Sequence, residues 1–378
     1  MSAFGRKMQT TIRQEQNQSV SSLKMLLLFS SMLYGAAVRM RTYLYEKGLF
    51  RSKSLPCKIV SIGNITTGGT GKTPMSIYVA KAIFNMGYKV AVVSRGYKGS
   101  AEKTGGIVSD GQAIQMSPYQ AGDEPYLMAH KLKGIPILVG RNRFQSAKRA
   151  VEEFGVDVVV LDDAFQHLAL KRDIDLLLID HAHPFGNNHL LPRGLLREPL
   201  SALSRADAFI LTRTDRPGTG GLDLLQKTPT VVPVFKSFHS HYHYDIQEEG
   251  LKNGIFPSNH LQPNRGKLVE AKQVFAFSGI AVNEDFRRTL CSLGCHVVGY
   301  LEFPDHHPYS EKDLRSILNL SEKTGAKVLV TTEKDYVRIA PEFFITRRTK
   351  LVVVGIETTF GPDTKGFLEF LRSRLEAV

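Results

Sequence analysis

The sequence predicts an α/β protein: a parallel sheet with helices on both faces, followed by a second, smaller α/β lobe. Three observations carry that prediction. From Lys58 onward, short β-branched runs recur that are apolar at every position, as strands read when both faces of a parallel sheet are covered. Helix-like stretches such as Pro74–Met86 and Arg143–Phe154 separate these runs, the alternation a parallel sheet needs for its crossovers. After Thr212 a polar, turn-rich interruption is followed by a second apolar series, so the chain divides in two.

The 378 residues suit two domains at roughly 150 residues each. Hydrophobic residues at 42% and charged residues at 22% exclude a disordered chain and a polytopic membrane protein. Cys57, Cys291 and Cys295 are too few for a disulfide framework, which fits a reducing compartment. The formal charge of +13 asks for an anionic partner, and it is unevenly spread. Residues 1–53 carry nine Lys/Arg against only Glu15 and Glu46. Among them lies the apolar run Met25–Val38, shorter than the roughly 20 residues of a membrane span. An interfacial helix fits best, its apolar side at the acyl boundary and its cations on anionic headgroups. A buried helix packed on the main domain and a cleaved presequence are the alternatives. Residues 1–54 are therefore expected to form a basic N-terminal segment with a membrane-associated helix.

The first strand series is Ile59–Ile62, Val90–Val93, Val156–Leu161, Ile174–Ile179 and Phe209–Leu211, within an expected domain of residues 55–235. Residues 236–270 read as a linker or insertion. The second series, Val274–Ser278, His296–Leu301, Val328–Thr332 and Leu351–Ile356, falls in a lobe expected at residues 271–378, with a cleft between the two.

The strand Lys58–Ile62 runs into Gly63-Asn64-Ile65-Thr66-Thr67-Gly68-Gly69-Thr70-Gly71-Lys72-Thr73-Pro74, and a helix follows. A glycine-rich turn between strand and helix lets backbone N–H groups converge on phosphate oxygens. Thr66 to Gly71 would form that cradle, Lys72 would reach the β/γ-phosphates, and the Thr73 hydroxyl would ligate Mg²⁺. The domain is thus P-loop NTPase-like, with ATP and Mg²⁺ as expected cofactors, although Thr66 stands where the strict G-x₄-G-K-[ST] pattern has its first glycine. Such a loop needs an acid at a strand tip, and Val158–Leu161 ends in Asp162-Asp163. Either aspartate can alternatively cap a helix over Ala164–Leu170.

Further clusters follow in order: Ser94-Arg95-Gly96-Tyr97, Gly122-Asp123-Glu124-Pro125, Asp162-Asp163-Ala164-Phe165-Gln166-His167, Leu191-Pro192-Arg193-Gly194-Leu195-Leu196-Arg197-Glu198-Pro199 and Phe303-Pro304-Asp305-His306-His307. Together with Gly63–Pro74 they resemble the tetraacyldisaccharide 4′-kinase family of lipid A biosynthesis, from the N-terminal apolar helix to about Asp335. Each motif is weak alone; six in order are specific. The resemblance implies ATP- and Mg²⁺-dependent phosphorylation of the 4′-hydroxyl of a lipid-linked glucosamine disaccharide 1-phosphate. It also implies a peripheral or monotopic place on the cytoplasmic face of a bacterial inner membrane. The family pattern also has Thr at the place of Thr66.

Carried over by resemblance, Asp123 is the catalytic base and His306 its partner across the cleft. Lys72 and Thr73 are the phosphate-loop pair. Asp162, Asp163 and Gln166 lie near the metal, and Arg197 and Glu198 flank the triphosphate, with Glu198 among the expected metal residues. Arg143 and Asn64 are assigned to the acceptor, Arg143 less securely because Arg141 is close by. The chemistry agrees, since phosphoryl transfer needs charge neutralisation and placement more than covalent catalysis. With the base in one lobe and His306 in the other, cleft closure would assemble the site.

His239, His241 and His243 alternate along Phe235–Asp245 and are read as an exposed strand edge, since no Cys or acid stands at ligand spacing. Basic and aromatic residues do not interleave, so nucleic acid is not expected, nor is an obligate protein partner. The alternatives are a P-loop kinase of a soluble small molecule and a P-loop NTPase switch. Against the switch, a partition ATPase has Lys where Thr67 stands, and Thr332-Glu333-Lys334-Asp335 lacks the Asn of a guanine-specificity element.

Overall fold

The computed structural model describes residues 22–215, 232–246, 263–266, 268, 273–339 and 350–377. The strands are β1 (Lys58–Gly63), β2 (Val90–Ser94), β3 (Gly106–Ser109), β4 (Ile137–Val139), β5 (Val158–Asp162), β6 (Ile174–Asp180), β7 (Ala208–Thr212), β8 (Val234–Lys236), β9 (Phe238–Ile246), β10 (Gln273–Ser278), β11 (His296–Glu302), β12 (Val328–Thr332) and β13 (Lys350–Thr359). The helices are α1 (Ser22–Glu46), α2 (Lys72–Asn85), α3 (Pro118–Ala121), α4 (Asp123–Lys131), α5 (Arg143–Phe154), α6 (Asn283–Ser292), α7 (Glu311–Lys323), α8 (Glu333–Tyr336) and α9 (Thr364–Glu376).

Two compact units form, and both are discontinuous in sequence. The first holds Met1–Arg95, Asn142–His239 and Thr358–Val378; the second holds Gly96–Arg141 and Ser240–Glu357. This corrects the expected boundaries at 55–235 and 271–378. Residues 96–141 leave the first unit because α4 buries Leu127 in one core with Phe277, Leu314, Leu318 and Tyr336. The C-terminal helix returns to the first unit through rings: Phe367 stacks on Phe360 with centroids 4.1 Å apart and meets Phe235 at 5.2 Å. Strand periodicity reports local burial and carries no information about which distant segment supplies the other wall.

In the first unit β2, β5, β1, β6, β7 and β8 run side by side and parallel. Apart from the edge strand β8, their interiors are almost wholly buried, as the unbroken apolar runs require. The register sets Ile62 beside Asp162, so the loop leaving β1 and the acids ending β5 emerge at one sheet edge.

Helix α1 is longer than the 14-residue run suggested: 25 residues, about 37 Å at 1.5 Å per residue. By length and composition alone, Leu23–Glu46 could cross a membrane. Its docking side is small and polar. The Ser31 hydroxyl donates to Leu190 O at 2.8 Å, Tyr34 OH to Arg197 O at 2.8 Å, and Arg41 to Gln166 O at 2.9 Å. A Cβ at Gly35 would stand 2.7 Å from the end of the Leu190 side chain, so the glycine lets the helix lie close without moving that side chain. The outward side is apolar, with Met25, Leu26, Phe29, Met32 and Leu33 all more than half exposed. A helix buried in the core is therefore excluded.

The second unit contains a five-stranded sheet ordered β11-β10-β12-β13-β9, its first four strands parallel, and the antiparallel pair β3-β4. Apolar cores lie on both faces of the large sheet. Strand β9 is an edge, as expected, but its histidines are not an exposed face. His243 is buried and its strand is bridged by Asn264, while His241 Nε2 lies 3.1 Å from the Thr289 hydroxyl. The turn-rich stretch after Asp215 and most of 247–270 lie outside the described residues.

Candidate active site

Strand β1 delivers the phosphate loop at full burial. A Cβ at Gly63 would come within 2.6 Å of Phe165, so this glycine lets the two strand-end loops touch. The loop is held from beneath. Asn64 Nδ2 donates to Thr70 Oγ1 at 3.0 Å, Lys72 Nζ donates to Asn64 Oδ1 at 3.3 Å, and Gln166 Nε2 donates to Asn64 O at 2.8 Å. Asn64 is fully buried in these contacts, so it braces the loop rather than presenting itself to an acceptor. Thr66 bridges Leu196, and Thr67 N donates to Leu195 O at 2.7 Å. The threonine in place of the first glycine thus pairs with the strand-like segment that brings in Arg197. Gly68 and Gly71 hold φ of 124° and 81°, where a side chain would be strained. Gly71 caps α2 without any side-chain hydrogen bond, leaving first-turn N–H groups to face an anion.

The two acids of β5 differ. Asp162 is buried and accepts from Ser76 Oγ at 2.8 Å and from Ser94 Oγ at 3.3 Å. Asp163 adopts φ of 47°, a left-handed backbone that non-glycine residues pay to hold and that recurs at functional sites. It lies 2.9 Å from Arg197 and 3.7 Å from Lys72. Burial would raise its carboxyl, but Lys72 and Arg197 outweigh that and hold it below the usual range. The helix expected over Ala164–Leu170 does not form; the segment is a series of turns, so neither acid is an N-cap. Buried Arg143 opens α5, and its charge acts on Asp163 and His167. Glu198 is buried and ion-paired to Arg205.

Among the described residues no cluster of three or more His, Cys, Asp or Glu side chains could hold a metal by itself. The donors fit Mg²⁺ completed by phosphate and water: a hydroxyl at Thr73, and two carboxylates at a strand tip, of which Asp162 is already oriented by two serines.

The second cluster lies wholly in the second unit. Gly122, at φ 86°, turns the chain into α4, whose first residue is Asp123. His306 follows β11 with φ of 61°, a second non-glycine residue in the left-handed region. Its Nδ1 stands 2.9 and 2.8 Å from the two Asp123 carboxylate oxygens. Asp123 and His306 therefore belong to one unit, and the expectation that they come from opposite lobes is corrected; no closure is needed to pair them. Arg338 Nε lies 3.6 Å from Asp123, and Lys334 Nζ lies 3.1 Å from Glu124, 3.3 Å from Asp305 and 3.4 Å from His306 Nε2. Burial alone would raise the Asp123 carboxyl. The His306 hydrogen bond and the charges of Lys334, His306 and Arg338 overturn this and bring it down to about 2. His307, which was given no role, instead meets Asp313 at 3.1 Å and stacks on Phe303.

The profile of the tetraacyldisaccharide-1-P 4′-kinase family (LpxK) matches residues 23–376. The chain belongs to this family. The tetraacyldisaccharide 4′-kinase of Desulfatibacillum aliphaticivorans is 42% identical over 378 residues, covering 100% of this chain and 99% of that protein. That of Syntrophus aciditrophicus is 41% identical over 335 residues, 85% of this chain and 86% of the relative. The crystal structure of LpxK from Aquifex aeolicus in complex with ATP superposes with a TM-score of 0.74 at 29% identity, covering 93% of this chain and 99% of that one.

Within this kinase family fold, the sequence motifs sort into two groups. Asn64, Thr66 to Thr73, Arg143, Asp162, Asp163, Gln166, Arg197 and Glu198 gather in the first unit; Asp123 and His306 gather in the second. Sequence reasoning missed Glu124, Lys334, Arg338 and Arg205. Lys334 was read only against a guanine-binding pattern. Its signal was present, since Thr332-Glu333-Lys334-Asp335 ends an apolar strand much as Asp162-Asp163 does.

Proposed function

We propose that the protein is an ATP-dependent tetraacyldisaccharide 4′-kinase that transfers the γ-phosphoryl group to the 4′-hydroxyl of a lipid-linked glucosamine disaccharide 1-phosphate. The observation that carries this reading is the buried Asp123–His306 pair, joined at 2.8 Å, in a chain that also holds an uncapped phosphate loop. Asp123 accepts the acceptor's hydroxyl proton as the oxygen bonds to the γ-phosphorus and the bridging bond to ADP breaks. Lys72 and Arg197 offset charge on the phosphates, and the N–H groups from Thr66 to Gly71 hold them in place. Mg²⁺ would be held by Thr73 with Asp162 or Asp163, near Gln166, and would screen the phosphate charge. Glu198, ion-paired to Arg205, would lie beside the metal, and Arg143 would serve the acceptor's anionic end. The outward apolar side of α1, on a helix that also carries Lys24 and Arg39, supports a peripheral or monotopic position on the cytoplasmic face of the inner membrane. Incubation with γ-labelled ATP and the disaccharide 1-phosphate tests the reading: label should enter the chloroform phase at the 4′ position. Label retained in water-soluble products, or released only as inorganic phosphate, overturns it.

A further inference from the structure

The segment Thr332-Glu333-Lys334-Asp335, which fails as a guanine-specificity element, is bonded at every residue. The Thr332 hydroxyl accepts from Asp335 N at 3.1 Å and caps α8. Glu333, buried, takes both Lys131 Nζ and Tyr242 OH. Asp335, fully buried, accepts from Gly279 N at 2.8 Å, Tyr309 OH at 2.9 Å and Arg338 at 2.7 Å. Helix α4 is thereby tied to α8 at both ends, by Glu124–Lys334 beside Asp123 and by Lys131–Glu333 at its last residue.

We propose that Lys334 is a positioning residue that sets the tautomer of His306: its ammonium makes Nε2 an acceptor, so the ring proton resides on Nδ1 and is donated to Asp123. This rests on the reading of Asp123 as the base. An ammonium has donors only, and Lys334 Nζ stands 3.4 Å from Nε2. Among the described residues, the carboxylate paired with Nε2 is Asp305, whose Oδ2 at 3.6 Å favours the opposite tautomer. Lys334 is nearer, and it also lies 3.3 Å from Asp305 Oδ1, so it screens that carboxylate from the ring. On the other side Nδ1 faces the two acceptor oxygens of Asp123. The remaining neighbours do not compete: Tyr97 meets the ring edge-on at 5.6 Å, Lys98 donates to the Asp305 carbonyl, and Arg338 addresses Asp123 rather than the imidazole. Burial would lower the Lys334 ammonium, but Glu124, Asp123 and Asp305 drive it upward, so it stays charged. His306 then acts as a donor that aims Asp123 and keeps it ionised. It does not receive the proton through Nδ1. The acceptor's O–H bond breaks and the proton ends on an Asp123 oxygen.

The test is the side-chain ¹H–¹⁵N spectrum of histidine in the full-length, ATP-bound protein in detergent, with His306 assigned by its loss in His306→Gln. The wild type should show a ring proton on His306 Nδ1 and none on Nε2. Lys334→Met should release Nε2 to Asp305, admit a detectable Nε2–H population in competition with the Asp123 hydrogen bond, and lower kcat about tenfold or more, with the KM for ATP nearly unchanged. Lys334→Arg, which keeps a charged donor, should restore the Nδ1–H form and most of the turnover. An Nε2–H form in the wild type overturns the proposal, even if the Met variant fails to fold. So does a Met variant that retains both the Nδ1–H form and wild-type kcat. Asp123→Asn separates the two readings: if it turns over normally, the base assignment fails; if it is inactive while Lys334→Met is unchanged, only the role of Lys334 fails.

Discussion

Removing the His306 imidazole should uncouple Asp123 from its strongest support, and the size of the effect can be worked from the site. The carboxyl is held at about 2 against an ordinary 3.8, with the His306 hydrogen bond as the largest lowering contribution. At 1.36 kcal/mol per pH unit, the whole difference is worth roughly 2 kcal/mol of folding free energy at neutral pH, and His306 supplies a large share of it. The sign follows from proton counting. The native state binds fewer protons at Asp123 than the unfolded chain, so this stability is fully present above 3.8 and is lost as pH falls toward 2. His306→Ala should therefore lower stability at pH 7 by about 1 kcal/mol and flatten the acid dependence between those limits. Urea unfolding followed by circular dichroism at pH 7 and near pH 3 reads both quantities. Turnover should fall by about 10²-fold or more, with ATP affinity nearly unchanged because the phosphate loop lies in the other unit. If Asp123 and His306 act together, Asp123→Ala/His306→Ala should be little worse than the weaker single variant. Fully multiplicative losses, or unchanged acid sensitivity in His306→Ala, would refute the coupling.

Lys72→Ala or Thr73→Ala should cost about 10²–10³ in kcat with the fold intact, and activity within about threefold of wild type would remove the phosphate-loop argument. His130 is buried on α4 against Tyr126, and burial with Lys133 nearby lowers it from 6.5 to about 4. Its folded value is depressed, so the stability it confers is complete above pH 6.5 and lost as pH falls toward 4; His130→Phe should remove that slope from the thermal midpoint, and an unchanged slope would assign it elsewhere. Exchanging the outward Leu26, Phe29 and Leu33 for serine should abolish flotation with anionic liposomes at high salt while leaving the Ser31, Tyr34 and Arg41 contacts and ATP binding in place; undiminished flotation would contradict a lipid-facing α1.

The sequence made the first unit legible because its signals are contiguous. Apolar runs marked β1, β2, β5, β6 and β7 to within a residue or two, and the glycine spacing from Gly63 to Thr73 marked the phosphate loop. The weaker strands were harder. β3, β4 and β8 span only three or four residues each, too few for a period to register. Unit membership was not legible at all. The chain leaves the first unit at Gly96 and re-enters it at Asn142, and only side-chain contacts such as Leu127 with the core of the second sheet decide which body α4 joins. That misplacement produced the expectation of a base and a histidine meeting across a cleft. Asp123 and His306 are 183 positions apart, yet each is fixed by a short local device that a sequence does report: Gly122 before one and a left-handed turn at the other.

Helix α1 shows why composition misjudged the length of an element while locating it correctly. The apolar run stops at Val38 because Arg39 and Arg41 follow, and hydropathy treats both as breaks. In the structure Arg41 reaches Gln166 O and also lies over the Tyr45 ring, so its charge is used against the protein and the helix continues to Glu46. The same contacts invert the usual amphipathic rule. A soluble helix turns its apolar stripe inward; here Ser31, Tyr34 and Gly35 are inward, and Met25, Leu26, Phe29, Met32 and Leu33 are outward. Docking through hydrogen bonds and one glycine fixes the helix's rotation, and with it the direction in which the apolar side points. Tyr34 bonds to the carbonyl of Arg197, whose side chain pairs with Asp163 beside Lys72, so the helix with the outward apolar side and the phosphate loop share a backbone anchor.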